Sequence, residues 1–337
     1  MSQRKIAVLG TGSWGTAVAV HLAGAGHDVR LWGRRADFIE ELARTRMNSR
    51  YLPEIRLPDS IAFTADLARA TASTDLIACV VPTQKIRGTL QDLVAQVPPR
   101  VPIVSLSKGI ENGTLLLPTQ ILAQLFGPDR SYGVLAGPSH AEEVVRGLPA
   151  SIVGASSDPR LAHSIQEIFS TKRLRIYTNP DVLGVELGAA LKNVIALAAG
   201  TCDGLGFGDN TKAALLTRGL VEIARLGVAM GARRDTFSGL SGIGDLLTTC
   251  FSPFGRNRAV GLAIGQGKKL QDILADSPMV AEGVPTTKSV LALAQKHQVE
   301  MPITEQVSAV LFDGKDPRLA VQDLMMRKLV SEAEVLS

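Results

Sequence analysis

At 337 residues, 45% of them hydrophobic, the chain is long enough for two domains with substantial cores and too apolar to be a disordered polymer. Its 36 Lys and Arg against 32 Asp and Glu leave a formal charge of +4. That excess suits anionic small molecules, but it forms no long basic tract of the kind that binds nucleic acid. Three widely spaced cysteines, Cys79, Cys202 and Cys250, make neither a disulfide framework nor a metal-ligand pair, so a reducing compartment and no metal are expected.

The opening MSQRKIAVLG runs straight into an apolar stretch, which leaves no room for a signal peptide, and a cytoplasmic protein is expected. Ile6 to Leu9 reads as a strand. Gly10, Gly12 and Gly15 follow in the spacing G-x-G-x-x-G, and Thr16 to Ala25 suits a helix packed on a sheet. This strand–turn–helix context makes a dinucleotide fingerprint of an otherwise weak glycine match. Gly10 permits the tight turn, Gly12 lets backbone approach a pyrophosphate, and Gly15 lets helix and strand pack closely. The helix start offers unpaired N–H groups to the anion. Thr16 stands where a nucleoside-triphosphatase loop needs Lys, which excludes that motif.

The second strand, Asp28 to Trp32, ends in Gly33-Arg34-Arg35 with no carboxylate at its tip. A fold that prefers NAD places an acidic residue there, against the ribose 2′-hydroxyl. Two guanidiniums suit a 2′-phosphate instead, so NADP(H) is the preferred cofactor and NAD(H) the weaker substitute; the plainer alternative is two solvated surface arginines. Asp37 to Arg46 is an amphipathic helix, and Tyr51 to Pro58 reads as turn-rich. Strands are predicted over Ile61 to Phe63 and Leu76 to Val81, with a short helix, Asp66 to Ala70, between them. Val101 to Leu106 is the next strand. Lys108 lies at its carboxyl end, where ligands of such sheets sit, and could hold a substrate oxygen or phosphate; otherwise it is a solvated loop lysine. Tyr132 to Ala136 hands over to a helix through Gly137-Pro138-Ser139-His140-Ala141, a second place for an anion or ribose beside Gly137 and Ser139. His140 invites a role as catalytic acid, but no carboxylate on its own turn orients it, which weighs against that role. Two more strands, Ala150 to Ala155 and Leu174 to Tyr177, flank a helix over Pro159 to Phe169, and the strand pattern stops at Asn179-Pro180.

From Asp181 onward the chain reads as helices. Val182 to Gly200 is apolar on nearly every face and is therefore buried; Glu186, Lys192 and Asn193 interrupt it, so no membrane span is expected. Lys192 has Gly188, Ala189, Ile195 and Ala196 at helical spacing. A Lys in such surroundings must be paired or lose proton affinity, which is how a Lys becomes a proton donor or acceptor near neutral pH. Asn193 is expected to secure helix packing or touch the cofactor. A second helix spans Thr211 to Gly231. The glycine-rich turn Ser238 to Gly244 then opens a helix at Asp245, which could cap it, steer Lys192 or bind a substrate hydroxyl. Phe254-Gly255-Arg256-Asn257-Arg258 suits a phosphate monoester, or else is a basic surface loop. Val280 to Thr287 is a turn before the helix Lys288 to His297, and helices continue to about Val330 with a frayed end. The expectation is an α/β Rossmann-type domain over residues 1–178 followed by an all-α domain over residues 179–337.

These motifs together resemble the bacterial NAD(P)-dependent glycerol-3-phosphate dehydrogenase family along essentially the whole chain. The matching stretches are Gly10 to Gly15, Leu31 to Arg34, Ser107 to Gly109, Gly137 to Ala141, Leu191 to Val194, Gly242 to Leu246, Arg256 to Arg258 and Val280 to Gly283. The resemblance implies a helical domain like that of 6-phosphogluconate dehydrogenase. It implies interconversion of dihydroxyacetone phosphate and sn-glycerol 3-phosphate, feeding glycerophospholipid synthesis, with Lys192 as proton acceptor of alcohol oxidation. It carries substrate contacts to Lys108, Gly137, Ser139, Lys192, Asp245, Gly255, Arg256 and Asn257. Cofactor contacts go to Ser13, Trp14, Arg34, Arg35, Tyr51, Lys108, Ala141, Arg256, Val280 and Glu282. The family commonly has Ser where this chain has Gly255, so at most a backbone N–H serves there. Two other readings stay open, a related hydride-transfer enzyme acting on a hydroxy acid or sugar-acid phosphate, and an NADPH-binding sensor without turnover. A homodimer is also left open.

Overall fold

The computed structural model describes residues 2–276 and 280–336. It divides into two compact units, Met1–Lys108 with Leu116–Val185, and Gly109–Leu115 with Glu186–Ser337. The sequence suggested one boundary at 178/179. The structure moves it to Val185 and assigns a seven-residue excursion, Gly109–Leu115, to the helical unit.

The first unit contains strands β1 (Lys5–Leu9), β2 (Asp28–Trp32), β3 (Met47–Asn48), β4 (Leu52–Arg56), β5 (Ile61–Thr64), β6 (Leu76–Cys79), β7 (Ile103–Ser105), β8 (Tyr132–Ala136), β9 (Ala150–Ser156) and β10 (Leu174–Asn179). Its helices are α1 (Ser13–Gly24), α2 (Ala36–Thr45), α3 (Leu67–Thr71), α4 (Ile86–Leu90), α5 (Pro118–Phe126), α6 (Ala141–Val145) and α7 (Pro159–Phe169). Eight strands form one sheet in the order β10-β9-β8-β7-β6-β1-β2-β5. All neighbours are parallel except β8 and β9, so β9 and β10 run against the rest.

Alternation along β1 builds the layers. Ile6 and Val8 face Val18, Leu22, Ile165 and Phe169 of α1 and α7, while Ala7 and Leu9 face Leu67, Ile86, Leu90 and Ile121 of α3, α4 and α5. A strand buried on both faces is what a parallel sheet covered by helices requires. Strand order reverses between β1 and β6, which opens a crevice at their carboxyl ends.

One expectation fails here. The passage over residues 51–58 is not merely turn-rich: β3 and β4 pair antiparallel as a two-stranded ribbon. Its short, bulged pairing, with Pro53 in one strand, gives no clean alternation to detect.

The second unit contains α8 (Val182–Gly204) from Glu186 onward, α9 (Asp209–Ala229), α10 (Arg234–Phe237), α11 (Asp245–Phe251), α12 (Arg256–Gly265), α13 (Leu270–Asp276), α14 (Gly283–His297), α15 (Pro302–Phe312), α16 (Pro317–Met325) and α17 (Glu332–Leu336). The last of these falls where a frayed end was expected. By length and composition α8 could cross a bilayer, but 83% of its most apolar window is buried inside the protein, which makes it the core helix of the unit.

Helices α8 and α12 cross at backbone contact. A Cβ on Gly200 would lie 2.0 Å from the Arg258 carbonyl oxygen, and one on Gly261 2.0 Å from that of Leu197. Gly204 and Gly265 repeat the approach one turn on.

Candidate active site

The glycine loop leaves β1 at the crevice. Gly10 has φ +125°, and a Cβ there would meet the Val80 carbonyl oxygen at 2.8 Å. A Cβ on Gly15 would meet the Gly10 carbonyl oxygen at 2.0 Å, so α1 can begin this close to β1 only with glycine. Gly12, the N-cap of α1, has open space where its Cβ would be and provides no side-chain cap. A helix start without a side-chain cap, with open space where the Gly12 Cβ would be, fits a pyrophosphate, the anion of a nicotinamide dinucleotide.

Ser13 is buried at the start of α1, and Trp14 packs partly buried against the small cluster of Ala17, Leu52 and Ala141. Beyond β2, Arg34 and Arg35 are exposed. Arg35 lies over the Phe38 ring at 5.1 Å, and Tyr51 meets the same ring edge-on at 5.9 Å. A cationic and aromatic shelf of this kind can take a phosphorylated nucleoside.

Lys108 lies beyond the end of β7 and donates from Nζ to the Gly137 carbonyl at 3.2 Å, while Ser139 Oγ donates to the same oxygen at 2.9 Å. These three predicted positions form one cluster at the carboxyl ends of β7 and β8. His140 is the half-buried N-cap of α6.

In the helical unit, α8 carries Lys192 into the core at 3% exposure. Its Nζ lies 2.9 Å from Asp245 Oδ1 and donates also to Thr249 Oγ1. Thr249 Oγ1 in turn reaches Asp245 Oδ1 at 3.4 Å. Asp245 is 2% exposed, and the chain enters α11 through a π-helical turn, Leu240–Gly244. Asp245 occupies the first turn of α11 without serving as its N-cap, which is Gly244. Two of the uses considered for it are thereby separated, and it faces Lys192. Asp245 and Thr249 share a helix face because they are four residues apart. Thr249 carries no sequence signal beyond a hydroxyl one turn after a carboxylate, and was not expected at the site. Burial pushes the neighbouring Cys250 thiol up to about 12, so it stays neutral beside the pair.

Asn257 is also buried. Its Nδ2 donates to Asn193 Oδ1 at 3.0 Å, and its Oδ1 accepts from the Gly283 N–H at 2.9 Å. The amide thus ties α12 to α8 and to the start of α14, whose N-cap is Glu282. Asn193 takes the helix-packing role among those expected of it. Arg256 is exposed at the first position of α12, and Val280 is 45% exposed. Gly255, the N-cap of α12, donates its N–H to the Ser252 carbonyl at 3.2 Å, so the backbone donor left to it is engaged in the turn. A Cβ there would meet the Thr249 carbonyl oxygen at 2.6 Å. Arg258 does not join Arg256; its Nε pairs with Asp203 at 2.7 Å, and Asp203 also holds Lys212 at 2.8 Å. Among the described residues no three His, Cys, Asp or Glu side chains gather as metal ligands.

Residues 5–162 match the family model of the NAD-dependent glycerol-3-phosphate dehydrogenase N-terminus, and residues 181–322 match that of its C-terminus. The chain is 53% identical over 329 residues to glycerol-3-phosphate dehydrogenase [NAD(P)+] 1 of Salinibacter ruber, covering 97% of this chain and 96% of that protein. It is 50% identical to glycerol-3-phosphate dehydrogenase [NAD(P)+] of Geobacter sulfurreducens, covering 98% of this chain and 99% of that one. The crystal structure of glycerol-3-phosphate dehydrogenase from Coxiella burnetii superposes with a TM-score of 0.92 at 38% identity, covering 96% of this chain and 99% of that one. With both halves matched in order and half the residues shared with such relatives, this chain belongs to the NAD-dependent glycerol-3-phosphate dehydrogenase family.

Proposed function

We propose that the chain interconverts dihydroxyacetone phosphate and sn-glycerol 3-phosphate with a nicotinamide cofactor, NADPH preferred, and so supplies glycerophospholipid synthesis. The observation that carries this reading is the buried Lys192–Asp245–Thr249 cluster, in a chain whose halves both match the family. When bound, the reduced nicotinamide supplies a hydride to the carbonyl carbon. Lys192, as the ammonium, donates the proton that the carbonyl oxygen takes up, and in alcohol oxidation it accepts that proton back. Asp245 pairs with the ammonium and aims it, and Thr249 fixes its rotamer by accepting one of its N–H groups. The helix start at Gly255, with the Arg256 guanidinium beside it, holds the phosphate. Because the phosphate is remote from the reacting carbon, its binding energy orients the carbonyl. Asn257, with both ends of its amide engaged, sets where α12 begins.

The preference for NADPH rests on Arg34 and Arg35 at a strand tip without a carboxylate. The deciding assay follows nicotinamide absorbance with dihydroxyacetone phosphate and either reduced cofactor, for the native protein and an Arg34→Ala, Arg35→Ala double variant. Turnover is expected with both cofactors, and the double variant should raise KM for NADPH far more than KM for NADH. No oxidation of either cofactor sinks the activity, and equal effects on both KM values sink the 2′-phosphate role.

A further inference from the structure

The β3–β4 ribbon reaches the glycine loop through the Asn48 side chain. Asn48 is fully buried. Its Nδ2 donates to the Thr11 carbonyl at 3.0 Å and to Thr16 Oγ1 at 2.7 Å, and its Oδ1 accepts the Tyr51 N–H at 3.2 Å. Both amide hydrogens are used, and the acceptor has its partner. Thr11 lies between Gly10 and Gly12, so a residue 37 positions along the chain holds the middle of the G-x-G turn.

The glycines create the need for it. They let backbone approach an anion, but they also leave the Thr11–Gly12 peptide free to rotate, because glycine tolerates either orientation. Rotated outward, the Thr11 carbonyl would present its partial negative charge to a pyrophosphate. Held by a buried amide, it is engaged inside the protein, next to the helix start at Gly12, where an added Cβ would meet nothing within 4 Å. The ribbon that carries Asn48 is itself anchored: Arg46 donates to the Ile61 carbonyl at 2.7 Å and lies over the Phe63 ring, and Leu52 packs with Ala17 and Ala141.

We propose that Asn48 is a positioning residue for the dinucleotide: it keeps the glycine loop in its anion-accepting form, and Thr16 serves as the second point of attachment. This deepens the reading of the loop as the cofactor site and rests on it. Because the pyrophosphate is common to both cofactors, the effect is the same for NADPH and NADH, unlike that of Arg34 and Arg35.

The test compares the full-length native protein with Asn48→Leu, Asn48→Asp, Thr16→Val and Thr16→Ser, measuring Kd for NADPH and NADH by nicotinamide fluorescence beside steady-state kinetics. Breaking this buried network should raise both Kd values together by roughly ten- to a hundredfold in the Asn48 variants. The kcat at saturating cofactor and KM for dihydroxyacetone phosphate should stay within about twofold. Thr16→Val should raise both Kd values several-fold and Thr16→Ser should not, a comparison that decides the matter should the Asn48 variants not fold. Unchanged Kd values in folded variants overturn the proposal, as does a fall in kcat with Kd unmoved. A native protein that binds both cofactors without turning over dihydroxyacetone phosphate refutes the activity and leaves the Kd comparison standing. A native protein that binds neither refutes both.

Discussion

Removing the Lys192 ammonium should have two separable effects, because the group holds a buried carboxylate and is the proton donor of the proposed reaction. Lys192→Ala should lower kcat about 10²–10⁴-fold while leaving cofactor Kd unchanged. It also strands Asp245, which costs about 3–5 kcal/mol of stability when one partner of a buried pair is lost. A Lys192→Met, Asp245→Leu double variant should regain the melting temperature without regaining kcat; recovery of turnover would refute the assignment. A second buried carboxylate belongs to folding. Glu222 of α9 accepts the Ile303 N–H at 2.6 Å and the Thr304 N–H at 3.3 Å at the start of α15, and burial pushes its carboxyl up to about 7. A pKa raised in the folded state means that the native protein binds the extra proton, so this contribution is complete below about pH 4.5 and is lost as pH rises through about 7. Relative to Glu222→Gln, the native protein should lose about 3 kcal/mol between pH 5 and 8 in urea unfolding. A constant difference across that range would contradict the shift. Lys192 was legible in the sequence because a charge amid Gly, Ala and Ile stands out. Glu222 was not, because a Glu on an amphipathic helix reads like any solvated charge until a distant helix start meets it.

Among the elements, α8 and α12 show how far small residues can override intrinsic preference. Ala favours a helix over Gly by about 0.5–1 kcal/mol, so Gly88→Ala in α4, where an added Cβ meets nothing within 4 Å, should stabilise by that amount. The same change at Gly261 should destabilise by about 1–3 kcal/mol, because its Cβ must displace the Leu197 carbonyl. Thermal melts of the two variants should move in opposite directions. The burial of α8 could be read from its composition, since a helix apolar on all faces has nowhere else to go. Its partner could not: Gly261 and Gly265 in α12 gave no sign of which helix they meet. The β3–β4 ribbon escaped for a different reason, its pairing being too short for a period of two to emerge.

For the whole molecule, the alternation of strands and helices ending near Asn179, and the helices after it, were visible because the Rossmann half needs continuous apolar strands and the other half has none. The reversal of β9 and β10 was not, since a strand's direction leaves no mark on its composition. Nor was the excursion Gly109–Leu115, which is polar enough to pass for a loop yet buries Ile110 and Glu111, with Ser289 Oγ of α14 at 3.1 Å from the Ile110 carbonyl. The chain therefore changes unit three times, after Lys108, after Leu115 and after Val185. This bears on recombination. A crossover at Val185 that exchanges the dinucleotide-binding half between two relatives also imports seven residues shaped to the donor's helices. A chimera that restores the recipient's residues 109–115 should melt higher than the contiguous exchange, and equal melting temperatures would show that the heptapeptide is interchangeable. A chimera within this family is thus better assembled from four pieces, cut after Lys108, Leu115 and Val185, than from two.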